Sequence, residues 1–160
     1  MDVFNPADHP LIGLDFKYSK QILAALLPMA LTVIFHSLGI ATVHRFFRHF
    51  GRPVMRGPHH WARTAVITCV VGILLVSHFV GVVVWAAFYY LSGLINDLSH
   101  AMFYSINSYT TLGTSGITLG LGWLGFGNFE SMTAMLMFGW STAVLASIVL
   151  NKTALGRYTF

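Results

Sequence analysis

Three long apolar stretches of this chain, residues 21–43, 64–90 and 131–150, contain no Asp, Glu, Lys or Arg. Each reaches the ~20 residues that a hydrocarbon layer ~30 Å thick demands of a helix. No other feature limits the fold as strongly, because a single segment crossing lipid must satisfy its own backbone polar groups, and a helix does so. Of the 160 residues only 9% are charged and 56% are hydrophobic, too little charge to cover a soluble domain. The expected fold is an all-α membrane protein with three transmembrane helices. Pro28 in the first stretch lacks an amide hydrogen and is expected to kink or loosen that helix. Asp2, Asp8 and Asp15 precede this stretch and no small-residue cleavage site follows it, so it reads as a retained helix.

The basic residues orient the three spans. Residues 44–63 hold Arg45, Arg48, Arg52, Arg56 and Arg63 and no acid, and Lys152 and Arg157 follow the third span. The segment between the second and third spans carries Asp97 and Glu130 and no Lys or Arg. The positive-inside rule then puts 44–63, as a basic loop, and the 152–160 tail in the cytoplasm. Residues 1–20 and 91–130 fall outside, with Lys17 and Lys20 the only basic residues against that choice among those flanking the spans. Arginines at such a boundary ordinarily meet anionic lipid headgroups. Cys69 is the one cysteine, so no intrachain disulfide exists.

Residues 91–130 are longer than a plain connection, which typically takes about 4–6 residues, and they are rich in Leu, Ile, Phe, Tyr and Trp. Leu98, Met102, Phe103 and Ile106 recur at helical spacing, and Asn96, Asp97 or Ser99 is suited to cap the start. A helix over 98–109 would be ~18 Å long at 1.5 Å per residue, about half a membrane. Half a helix followed by irregular chain describes a re-entrant element, tolerated only where protein or a watery cavity surrounds it. The residues that follow are Thr110, Thr111, Leu112, Gly113, Thr114, Ser115 and Gly116. They offer hydroxyls and carbonyls without formal charge, in backbone made bendable by glycine, which is what stripping water from a monovalent cation requires.

A polar pore helix, then T-T-x-G, then another apolar helix resembles the pore module of the potassium-channel superfamily. "FYSINSYTTLGTSGITL" is similar to small bacterial channels of that superfamily, and "FGWSTAVL" resembles their inner helix. The resemblance covers residues 64–151: outer helix 64–90, pore helix 98–109, filter 110–116 and inner helix 131–150, with 21–43 an extra helix outside it. Thr111, Leu112 and Gly113 match the family pattern T-V/L-G-Y/F-G-D. Thr114, Ser115 and Gly116 stand where the aromatic, the second glycine and the aspartate belong. Ser115 would meet a left-handed penalty of ~1–2 kcal/mol there, unless one inserted residue lets Gly116 serve as the second glycine. The resemblance implies a homotetramer around a central pore in a bacterial inner membrane, conducting K+, and the altered residues Thr114, Ser115 and Gly116 imply relaxed selectivity over Na+. The ions would be held at Thr111, Leu112, Gly113 and Thr114, and Gly139 is the hinge candidate of the inner helix. Bound K+ or Na+ would be the only cofactor, and neither nucleic acid nor a small-molecule substrate is expected as a partner.

Eight histidines raise other readings. His100, at the outer end of the pore helix, is a candidate pH sensor because an ordinary imidazole titrates near pH ~6.5. His36 and His78 lie within predicted spans, where an ionisable group marks a functional candidate. As haem ligands they would need a common depth, and counting from the expected helix ends sets them ~10 Å apart. A neutral imidazole bonded to an oxygen on a neighbouring helix is the simpler expectation. A haem-binding redox subunit and a structural or assembly subunit remain the alternatives to a channel. The five acids are scattered and "GLGWLGFG" lacks the lysine and flanking strand of a phosphate loop, so no enzyme is expected.

Overall fold

The computed structural model describes residues 11–113, 116–120 and 122–156. Five α-helices follow in order: α1 (Leu11–Phe46), α2 (Arg52–Arg56), α3 (His60–Leu91), α4 (Leu98–Tyr109) and α5 (Gly127–Gly156), and no strand occurs among the described residues. Three stretches are long and apolar enough to cross a membrane, Lys20–Met55, His60–Leu91 and Gly127–Leu150, and the chain is read as membrane-embedded. Side chains without charge drive this, since each spanning window carries apolar residues all round rather than on one stripe.

The expected loop over 44–63 is a correction. A π-helical turn over Phe47–Gly51 carries α1 into α2, and only residues 57–59 leave the helix before α3. The reason is local. Pro53 has no amide hydrogen, and the wider turn, with Arg52 N–H reaching Phe47 O, takes up the disturbance. Gly51 makes room for the Phe47 ring, which a Cβ would strike. Arg45, Arg48 and Arg52 are exposed along this extension, and the Arg63 guanidinium folds back to donate to the Gly57 carbonyl at 2.6 Å. Pro28 does not interrupt α1.

α1 packs on α3 and α5, and α4 sits against α3 and α5. Two apolar clusters result. One, beside α4, gathers Trp85, Tyr89, Tyr104 and Phe126. The other, towards the arginines, gathers Ile40, Val43, Val70, Leu74, Val144 and Ile148. Phe126 is fully buried, stacked on Phe88 at 5.4 Å and edge-on to Trp123 at 5.0 Å, and so fastens the return segment that precedes α5. Trp123 is half-buried in this contact.

The α1–α3 crossing depends on one missing side chain. A Cβ at Gly39 would overlap the Ser77 side chain, whereas one at Gly72 meets nothing within 4 Å. Gly39→Leu is therefore expected to destabilise the protein by about 1–3 kcal/mol through overpacking, and Gly72→Leu to leave it nearly unchanged. Thermal unfolding of the detergent-solubilised variants checks this; equal losses at both positions would contradict it.

Candidate functional site

The site is built around α4. Asp97 caps it, accepting the His100 N–H at 2.8 Å, and the His100 Nδ1 lies 3.1 Å from the same carboxylate oxygen on the surface. The apolar residues that reveal the helix in the sequence point outward: Leu98, Phe103 and Ile106 are exposed. The buried face carries Ala101, Tyr104, Ser105, Ser108 and Tyr109, most of them polar. A helix that turns polar groups inward needs partners for each of them.

Glu130, in the first turn of α5, is the partner of Ser105. It is fully buried, although the sequence places it with Asp97 among the outside acids. Its Oε1 lies 2.5 Å from Ser105 Oγ and its Oε2 accepts the Tyr89 hydroxyl at 2.8 Å. Ser105 Oγ also lies 2.9 Å from the Val82 carbonyl. One carboxyl therefore joins α3, α4 and α5. A second tie follows one residue later, where the Ser131 hydroxyl donates to the Ser108 carbonyl at 2.6 Å. The helices approach this closely because α5 begins with glycine, and a Cβ at Gly127 would stand 2.8 Å from the oxygens of both Ser108 and Tyr104.

After Tyr109 the chain turns sharply. The Leu112 and Gly113 amides both return to the Asn107 carbonyl, at 3.0 and 3.3 Å, and the Thr111 amide to Ser108 O at 3.0 Å. Thr111 takes φ +59°, the only positive φ on a non-glycine among the described residues. A β-branched residue there is strained by roughly 1–2 kcal/mol. Gly113 and Gly116 follow at φ +94° and +83°. Thr110, Thr111, Leu112, Gly113 and Gly116 are exposed on the single chain, while Thr114 and Ser115 lie outside the described residues. Behind this loop is a cavity of about 270 Å³, lined among others by Tyr104, Ser108, Thr111, Asn128 and Ser131. Gly139, the hinge candidate, is exposed and a Cβ there meets nothing within 4 Å, so within one chain it is not a packing point.

His36 and His78 are not separated by ~10 Å, which corrects the sequence-based depth count. Their ring centroids are 4.8 Å apart. Because the helix of α1 continues through Arg56, His36 has about as much helix below it as His78 has below it in α3. Both imidazoles address one hydroxyl: Ser141 Oγ is 3.1 Å from His36 Nε2 and 3.0 Å from His78 Nε2. His78 Nδ1 then lies 3.2 Å from the Tyr109 hydroxyl.

No family model, curated protein or solved structure matches this chain. The resemblance of its loop and third span to potassium channels rests on those residues alone.

Glu130, Ser105 and Tyr89 are absent from the sequence-derived site. The available signal was a lone acid at the mouth of an apolar span, which in lipid demands a partner. Glu130→Ala strands the buried Tyr89 hydroxyl and opens a void, at an expected cost of about 2–4 kcal/mol. Glu130→Gln keeps the shape and a carbonyl acceptor and should retain most of the stability. Thermal unfolding of the two variants decides it, and equal loss in both would refute the hydrogen-bonding role.

Proposed function

We propose that the protein is a pore-loop channel for monovalent cations, with residues 110–116 as its filter and α4 as its pore helix. The observation that carries this reading is the loop at the end of α4: a strained Thr111 and two positive-φ glycines directly after a twelve-residue helix wedged between two spans. Backbone strain of this kind persists only where the surroundings impose it, and it gathers at ligand-holding sites. Neutral carbonyl and hydroxyl oxygens in such a run can replace the water around K+ or Na+. The C-terminal end of α4 adds negative partial charge behind the loop.

One chain contributes one loop, and a closed ring of oxygens needs several, so the working unit is a homotetramer with cyclic symmetry. In that assembly the exposed outer residues of α5, Met135, Leu136, Gly139 and Trp140 among them, face neighbouring copies or the pore. The N-terminus lies outside and the C-terminus inside, with the arginine-rich end of α1, α2 and α3 at the cytoplasmic headgroups of a bacterial inner membrane. Thr114, Ser115 and Gly116 in place of aromatic, glycine and aspartate relax the preference for K+ over Na+.

Vesicles loaded with K+ and carrying the protein should release it on dissipation of the membrane potential. Gly113→Ala should abolish release by forcing a Cβ onto φ +94°, in space otherwise open, without unfolding the protein. Native mass spectrometry should find four chains of 17.7 kDa. A monomer, or release untouched by Gly113→Ala, would overturn the reading.

A further inference from the structure

The first helix has no part in the loop, yet it is wired to it. His36 on α1, Ser141 on α5, His78 on α3 and Tyr109 on α4 form one chain of hydrogen bonds, 3.1, 3.0 and 3.2 Å in turn. All four side chains are buried. The chain crosses the bundle between the two apolar clusters, and hydrogen bonds in so apolar a setting are stronger than in water. We propose that His36 is a positioning residue for residues 110–113, acting through Ser141, His78 and Tyr109, so that α1 braces the loop from the opposite side of the bundle.

These links act together because they share their protons. Ser141 has one hydroxyl proton and two imidazoles to serve. If it donates to His78 Nε2, it must accept from His36 Nε2–H, and His78 Nδ1–H then donates to Tyr109. If it donates to His36 Nε2, it accepts from His78 Nε2–H, and the Tyr109 hydroxyl donates to His78 Nδ1. Every bond points one way, and reversing one reverses all. His36 Nδ1 has no partner in the described structure, so the chain ends there and α1 contributes a single link.

Geometry leaves little slack at the far end. Tyr109 is the last residue of α4, held edge-on to Phe138 at 5.7 Å, and a Cβ at Gly81 would come within 2.9 Å of its hydroxyl. Two residues later stands Thr111, strained, with its amide on Ser108 O. A shift of the Tyr109 ring therefore reaches the loop directly. Gln21 Nε2, donating to Gly122 O at 2.5 Å, ties α1 separately to the return segment and does not touch Tyr109.

The consequence for permeation rests on the reading of 110–116 as a filter, but the positioning role is measured without current. Amide hydrogen exchange of the full chain in lipid nanodiscs is followed on the peptide covering 106–113. His36→Leu should speed its exchange about tenfold, and Tyr109→Phe alike, with the double variant no faster than either. His36→Gln, which restores a nitrogen or oxygen near the Nε2 position, should stay near wild type. Unchanged exchange over 106–113 in His36→Leu, with any increase confined to α1 and α3, would overturn the proposal. So would a His36→Gln variant as fast as His36→Leu, since volume rather than the hydrogen bond would then be the cause.

Discussion

A short helix can sit among spanning helices only if every polar group it brings finds a partner in the protein or in a watery cavity, because hydrocarbon offers none. That constraint organises this molecule. α4 brings serines and tyrosines on its buried face, and α3 and α5 answer them with His78, Glu130 and Ser131. Its first turn is closed by Asp97, and its last carbonyls are taken by the amides of the loop itself and by the Ser131 hydroxyl. Remove those partners and α4 has no reason to stay between the spans; the loop it carries would then have no fixed place.

The packing around α4 divides the work by chemistry. At one end a cluster centred on Phe126 holds the return segment by aromatic contacts, which supply area and fixed geometry without polar groups to satisfy. At the other end aliphatic side chains pack α1 against α3 and α5. The hydrogen-bonded row of His36, Ser141, His78 and Tyr109 lies between these two layers and is the point at which all three long helices and α4 meet. Close approach is set by glycines where side chains would collide, at Gly39 beside Ser77 and Gly81 beside Tyr109.

The parts legible in the sequence are those governed by local rules. Uncharged length marks three spans, and apolar spacing with an Asp97 cap marks α4 over 98–109. The helical path through 44–63 was hidden, because arginines and Pro53 read as a loop while a π turn accommodates them. Glu130 was hidden because its meaning lies in Ser105 and Tyr89, residues 25 and 41 positions away. The outward-facing apolar stripe of α4 reveals a helix but hides which face is buried. The proximity of His36 and His78 depended on where helices end, the least legible feature of all, and a few turns of extra helix brought together two rings that depth counting had separated.

On the proposed reading, neutral oxygens in residues 110–116 conduct monovalent cations. Its most direct test is the reversal potential of single-channel currents in planar bilayers, first under a KCl gradient and then with K+ facing Na+. A cation pore of this kind gives a reversal close to the potassium equilibrium potential under the gradient, a small K+ preference over Na+, and loss of the current in Thr111→Ala. A reversal at the chloride equilibrium potential, or a current indifferent to Thr111→Ala, would contradict it.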